Sequence, residues 1–176
     1  MPTPEFILEL RERIGHDELW LQGVTCLIWR DGAGGPEWLL ARRADNDQWA
    51  PVCGIVEPGE EPDVTAAREC LEEVGLEVDV VKLLWVRDHG RVTYANGDRT
   101  RFLDNAYLAR VAPGEGRAPS CPDGENTDVA WFAADEVPSM RPRFAELVAY
   151  AREVVAGGEA AIAAAPVLHG AERRRR

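Results

Sequence analysis

Apolar side chains recur along this chain at two spacings, and the changes from one to the other mark its elements. Phe6, Ile7, Leu10 and Ile14 stand at helical spacing, which predicts a short amphipathic helix over residues 4–14. Residues 23–29 form a strand-length apolar run, and residues 37–43 read as its hairpin partner across the glycine-rich stretch 31–36. The helical period returns over residues 62–74. A strong apolar run over 78–86 predicts a strand, followed by a loop or hairpin turn over 89–98 whose turn signal is Asn96-Gly97. Residues 101–111 and 128–132 read as further strands, with a mobile loop over 113–126 between them. Last comes a helix over 142–155 with Phe144, Leu147, Val148, Ala151 and Val155 on one face. A hairpin, a helix, more strands and a terminal helix predict an α/β (α+β) fold, a mixed sheet sandwiched between helices. No internal repeat breaks this order. Residues 1–156 are expected to form one domain, and 157–176 a flexible Ala/Gly/Arg-rich tail.

The helix over residues 62–74 carries the chemistry. Pro62 suits its first turn, where a missing N–H costs nothing, and Gly75 suits the position just past its end, where a left-handed residue closes the last turn. At about 100° per residue, Glu69, Glu72 and Glu73 share one arc, while Val64, Ala67, Cys70, Leu71 and Val74 lie opposite. The apolar face is expected to pack on the core and the acidic face to be presented as a small patch. Carboxylates at i,i+3 and i,i+4 spacing repel one another, and Arg68, one turn before Glu72, offsets only part of that charge. A solvated acidic face accounts for a lone pair of glutamates, but poorly for the loop before the helix with its Gly54 and Glu60. A divalent cation accounts for both. Clustered carboxylates without His or Cys favour Mg²⁺ or Mn²⁺ over zinc, and such ions neutralise a diphosphate and activate water for attack at phosphorus.

Composition sets the outer limits. The 176 residues are 45% hydrophobic and 29% charged, ordinary globular values. A net charge of −11 argues against a nucleic-acid surface, which needs a basic field. Small phosphorylated ligands remain open, because bound Mg²⁺ inverts the field locally. The one dense basic block, residues 173–176, ends the chain and reads as a frayed tail. Cys26, Cys53, Cys70 and Cys121 are widely spaced with no CxxC pair, which points to a reducing compartment. With no signal pattern and no apolar run near the ~20 residues that span a bilayer, no membrane role is expected and the cytoplasm is the expected location.

Residues 54–76, GIVEPGEEPDVTAARECLEEVGL, hold Gly54, Glu60, Arg68, Glu69, Glu72, Glu73 and Gly75 at fixed offsets. Ordinary residue usage gives that combination by chance on the order of 10⁻⁹ per starting position. The segment resembles the signature of the Nudix hydrolases, GX5EX7REUXEEXGU with U an aliphatic residue. Leu76 supplies the last aliphatic, and Cys70 stands at the first, where a buried Cys serves as a small apolar residue. A looser similarity runs over about residues 23–138, including LLARR at 39–43, WAP at 49–51 and Trp131-Phe132. The resemblance implies a Nudix-like mixed sheet between helices. It also implies that Glu69, Glu72 and Glu73 bind the catalytic metal, Mg²⁺ or Mn²⁺, with Glu72 either a third ligand or the base that deprotonates water. Arg68 is implied to orient these carboxylates and Glu60 to support the loop. Cys53 stands where many relatives have a glycine whose carbonyl completes the metal site, so its backbone carbonyl is a candidate ligand. Its thiol, with no His nearby in sequence, is not read as a nucleophile.

Substrate contacts are carried less directly. Arg43 ends a predicted strand just before the motif loop and is placed to reach a phosphate, though a surface arginine fits equally. Trp49 and Tyr94 are candidates to stack on a base or ribose. Trp29, Trp38, Trp85 and Trp131 read as core. Glu125 falls where some relatives place another acidic group near the metal. His16 and His89 read as structural or exposed, as most lone histidines are. Selectivity is expected from the loops, the N-terminal helix and, in a homodimer, the second copy. The expected reaction is cleavage of a diphosphate linkage in a nucleoside diphosphate derivative, a nucleotide sugar such as ADP-ribose or an oxidised nucleoside triphosphate. The alternatives are a non-catalytic nucleotide- or sugar-binding regulatory module and a structural protein with an acidic helix face.

Overall fold

Side-chain alternation along the central strands decides what lies on each face of the sheet that organises this molecule. The computed structural model describes residues 3–169. In order these form α1 (Glu5–Ile14), β1 (Leu19–Gly32), β2 (Gly35–Arg43), β3 (Trp49–Ala50), β4 (Val52–Ile55) and α2 (Pro62–Val74). They continue through β5 (Val78–Thr93), β6 (Arg99–Val111), β7 (Asn126–Ala133), α3 (Pro142–Ala156), α4 (Gly158–Ala164) and β8 (Leu168–His169). The strands join one sheet in the order β3-β2-β1-β6-β5-β8, with β4 also paired to β1 and β7 to β2. β1 and β6 run parallel, whereas β1 and β2 form an antiparallel hairpin. The sheet is therefore mixed, as expected.

Successive residues of a strand point to opposite faces. Leu27 and Trp29 of β1, Trp38 and Leu40 of β2, and Ala106 and Leu108 of β6 share one core with Leu147, Val148, Ala151 and Val154 of α3 and Ile162 of α4. Their neighbours Cys26, Ile28, Leu39, Ala41, Tyr107 and Ala109 share the other with Ala66, Cys70 and Val74 of α2. α2 thus covers one face and α3 with α4 the other. α1 contributes only Ile7 and Phe6, packed near Leu19, Leu21, Ile55 and Phe102. Leu10 and Ile14, expected on its packed face, are instead exposed.

Several elements differ in extent from the periodicity. The first hairpin is longer than expected, with Gly32 paired to Gly35, so its turn is Ala33-Gly34. Strand β5 continues through the first half of the predicted 89–98 loop, and the reversal at Asn96-Gly97 is confined to residues 94–98. Three register shifts interrupt the β5–β6 ladder, and the one between Asp88 and Arg91 breaks the alternation where the predicted strand ends. β3 and β4 are too short for any period to register. The buried face of α3 ends on Val154 instead of Val155. The stretch assigned to a tail starts with α4, whose Ile162 is buried, and β8 pairs with β5, so residues 158–169 belong to the packed structure. The arginine run at 173–176 lies outside the described residues. The irregular stretch after β6 is tied to the end of α2 by the Ser120 N–H on the Val74 carbonyl at 3.0 Å, and by Glu115, which accepts from the Glu77 N–H at 3.1 Å.

Candidate active site

Strand β4 lies against β1 with Cys53 opposite Thr25 and Gly54 opposite Val24, and α2 crosses this short strand. Gly54 is what permits the approach: a Cβ there would stand 2.1 Å from Cδ of Glu69. Pro62 begins the helix. Gly75 ends it at φ 71°, its N–H donating to the Leu71 carbonyl at 3.1 Å while the Leu76 N–H reaches Cys70 at 3.4 Å.

The face that α2 buries is not the one its apolar periodicity predicts. Glu69 and Glu73 are 1% and 2% exposed, whereas Val64 and Leu71 are 55% and 41% exposed. Cys70 and Val74 do reach the core, together with Ala66. The helix is rotated so that two carboxylates, rather than two aliphatic side chains, lie under cover. Burial of a charge without a partner is unfavourable. The geometry therefore sets a requirement that hydrophobic packing did not, and a local gain of apolar burial has been given up to meet it.

Arg68 partly meets that requirement. Its Nε and Nη2 donate to the two oxygens of Glu60 at 2.9 and 3.0 Å, and its Nη1 donates to Glu69 and Glu72, each at 3.0 Å. Glu60 also accepts from the Thr65 hydroxyl at 2.7 Å. This bidentate guanidinium bond holds the Glu60 carboxyl down to about 2, so it is an ionised anchor for Arg68 and not a proton carrier. Glu72, on the open side of Arg68, is drawn to the rim. Among the described residues no three His, Cys, Asp or Glu side chains converge as a ready metal cage. The expected three-glutamate cluster is thus split, two buried and one at the surface, because Arg68 stands between them.

Glu69 and Glu73 remain under-compensated. Burial raises each carboxyl to about 7. For Glu69, Arg68 opposes this and the Glu73 charge adds to it, while for Glu73, Asn126 and Arg43 oppose it and Asp123 adds to it. Asn126 donates its Nδ2 to Glu73 at 3.1 Å, and the Cys53 amide also bonds this carboxylate. The other oxygen of Glu73, Oε1, is buried without a hydrogen-bond partner. Two buried oxygen donors, one orphaned, beside a strand that a Cβ would obstruct, fit a hard divalent cation. Cys53, whose backbone amide meets Glu73, thus stands in strand β4 beside both buried carboxylates. Its thiol, by contrast, is pushed up to about 12 by burial and is inert as a nucleophile.

A stability measurement follows from these two acids. Each binds its proton more tightly in the folded chain than at the ordinary value of 4.5, so the unfolded state releases protons first. In EDTA the melting temperature should fall as pH rises from about 4.5 to about 7 and then level off, and millimolar Mg²⁺ should recover the loss. Glu60 titrates below this window. A metal-free melting temperature that rises through the window would contradict the burial of unpaired carboxylates.

A cavity of about 860 Å³ opens in front of Glu69, lined also by Cys53, Gly54, Arg43, Trp49, Tyr94 and Glu125. Every residue expected to contact substrate therefore meets the same space. Arg43 bonds Asp45 through Nε at 3.0 Å. Trp49 packs edge-on against Phe132 at 4.9 Å and is half-buried, which makes it as much wall as platform, whereas Tyr94 is 47% exposed. Glu72 lines a separate shallow surface with Arg68 and Asp123. His89, read as structural, lines the cavity too, its ring set against Phe102. His16 bonds Asp98 at 2.7 Å near the turn.

Other residues were not singled out by sequence. Asn126, at the start of β7, holds Glu73. Asp104, beneath the cavity floor, accepts from the Thr25 hydroxyl at 2.7 Å and the Trp85 indole at 2.8 Å, and its burial raises its carboxyl. Arg141 and Arg143, flanking the first residue of α3, also line the cavity. None has a local signature, since each is brought in by a strand or helix far from the motif. The NUDIX domain family model matches residues 20–152. The chain belongs to the Nudix hydrolase family.

Its relatives agree in fold and family. A MutT-like protein of Streptomyces ambofaciens is 35% identical over 99 residues, 56% of each chain. The NAD-capped RNA hydrolase NudC of Mycobacterium tuberculosis is 34% identical over 128 residues, 70% of this chain and 36% of NudC. This chain thus spans about half or less of the curated relatives it matches. Among solved structures, the MutT Nudix hydrolase of Burkholderia pseudomallei superposes with a TM-score of 0.59 at 25% identity, covering 75% of this chain and 98% of that one. An ADP-ribose pyrophosphatase of Streptococcus suis gives 0.60 at 16% identity, covering 85% and 96%, and shares the fold. No helix among the described residues of this Nudix chain is long and apolar enough to cross a membrane.

Proposed function

We propose that this Nudix chain hydrolyses a diphosphate linkage in a nucleoside diphosphate derivative, with Mg²⁺ as the ion and Mn²⁺ as a substitute. The substrate classes are a nucleotide sugar such as ADP-ribose and an oxidised nucleoside triphosphate. The observation that carries the reading is the pair of buried, under-compensated carboxylates, Glu69 and Glu73, next to a cavity with arginines in its walls. Glu69, Glu73 and the Cys53 carbonyl are the groups that would hold the cation. When bound, such an ion neutralises the diphosphate and lowers the pKa of water for attack at phosphorus. Arg68 fixes the rotamer of Glu69 through a guanidinium itself anchored on Glu60. Asn126 does the same for Glu73. Arg43 binds a phosphoryl oxygen from the cavity wall, and Tyr94 offers its ring to a base or ribose. Glu125 shares the cavity with Glu69 and Glu72 does not, so Glu125 is the better placed of the two to accept the proton of the attacking water.

A screen of nucleotide sugars, nucleoside triphosphates and dinucleoside polyphosphates with Mg²⁺, read by chromatography, tests this. At least one should be split into two phosphorylated products, with EDTA abolishing the reaction and ¹⁸O from labelled water entering one of them. Thermal stabilisation by such ligands with no turnover would replace the hydrolase with a binding module.

A further inference from the structure

Two cations in the cavity wall have no anion. Arg141 and Arg143 flank Pro142, the first residue of α3, and both line the cavity that reaches Glu69. Among the described residues neither has a carboxylate partner, in a chain whose net charge is −11. Arg141 is held only by the neutral Gln48 amide, Nε to Oε1 at 3.3 Å. Arg143 lies with its guanidinium carbon 4.1 Å from the Phe144 ring centroid, and its buried Nε has no hydrogen-bond partner. Other arginines of the cavity wall are matched: Arg43 by Asp45, and Arg11 by backbone carbonyls and Asp98.

The placement is also unfavourable for the helix itself. Cations at a helix N-terminus meet the positive end of its dipole, which disfavours them there. The first turn of α3 has no acidic residue and no side-chain cap to offset this. Arg143 is further disfavoured by burial and by repulsion from Arg43, which lines the same cavity. Arg143 is within electrostatic reach of Cys53, and Arg43 and Arg141 of Tyr94. Three guanidiniums thus surround one part of the cavity, beside the strand that faces Glu73.

We infer that Arg141 and Arg143, together with Arg43, form a clamp for a phosphoryl group of the substrate additional to the linkage held at Glu69 and Glu73. A dianionic phosphate supplies the acceptors and the charge that the clamp lacks, and guanidiniums match its oxygens in pairs. A neutral sugar supplies acceptors but no charge. This inference rests on the hydrolase reading above and narrows its substrate class to compounds with an extra phosphate. The terminal phosphate of a nucleoside triphosphate and a phosphomonoester on a ribose both satisfy it.

Tripolyphosphate binding in EDTA tests the clamp without any turnover. Isothermal titration should show the double variant Arg141→Gln/Arg143→Gln binding sodium tripolyphosphate about 10–100-fold more weakly than wild type, the worth of one or two charge-assisted hydrogen bonds. In ligand-free buffer the variant should melt at or above the wild-type temperature, since two repulsive charges leave the helix start. Arg143→Lys should restore part of the affinity. In turnover, the ratio of kcat/KM for a phosphate-bearing substrate to that for a nucleotide sugar without one should fall by a similar factor. A triphosphate and a 2′-phosphorylated dinucleotide, assayed in parallel, show which source is used. Equal tripolyphosphate affinity in wild type and variant would overturn the clamp, as would a ratio that changes with the base and not with the phosphate. If no compound is hydrolysed, the titration still decides the clamp while the hydrolase reading falls.

Discussion

Glu73→Gln is expected to lower kcat by about 10³-fold or more, equivalent to about 4 kcal/mol of transition-state stabilisation. The carboxylate is 2% exposed, and among the described residues one of its oxygens has no hydrogen-bond partner and no arginine pairs with it as Arg68 pairs with Glu69. The amide keeps the shape and still accepts from Asn126, but it brings no charge to a divalent cation. The fold should survive. Because burial raises the Glu73 carboxyl to about 7, ionisation is unfavourable there, and a neutral isostere should melt at or above the wild-type temperature in EDTA at about pH 8. The stabilisation that Mg²⁺ gives the wild type should be lost. Wild-type kcat at saturating Mg²⁺ in this variant would remove Glu73 from the metal site.

Gly54→Ala should be the second most damaging small change, although it adds a single methyl group. That carbon would stand 2.1–2.2 Å from Cγ, Cδ and Oε1 of Glu69, so the carboxylate must leave its place. Glu69 would then lose its bond to Arg68 and its position beside the cavity. A fall of about 10²-fold in kcat is expected, with an overpacking cost of about 1–3 kcal/mol, or several degrees in melting temperature. Gly54→Ala/Glu69→Ala separates the two effects. Removing the side chain that collides should recover the melting temperature and leave activity low. If the single variant keeps both its activity and its stability, the helix and β4 are not in the contact described.

Both variants act on residues that one stretch of sequence already marked. Pro62, Arg68 and Gly75 could be read locally because each acts within a turn or two of itself: a cap, a left-handed closure and an ion pair at helical spacing. Gly54 and Glu60, by contrast, act across the loop on Glu69 and Arg68. The i,i+4 contact between Arg68 and Glu72 is a property of any helix, and it is present. The central strands were legible for a similar reason, since much of β1 and β6 is buried on both faces and reads as an apolar run. β5 beyond Val86 was not, because the register shift between Asp88 and Arg91 breaks its alternation. Residues 158–169 escaped notice because Ala and Gly carry little periodic signal, and one buried Ile162 fixes them.

The sequence by itself determined the family: the spacing of the motif's glutamates, and the loop and cap that precede and close their helix. The orientation of the helix lay beyond it. A helical wheel ranks faces by transfer from water, and by that measure Val64 and Leu71 should be inside and the glutamates outside. Only the packing of α2 across β4, allowed by the missing side chain of Gly54, turned Glu69 and Glu73 inward. The partners of that site likewise came from afar, Asn126 from β7, Asp104 from β6, and Arg141 and Arg143 from the start of α3. Their meeting depends on strand order and helix crossing, which are properties of the assembled sheet and of no segment in it.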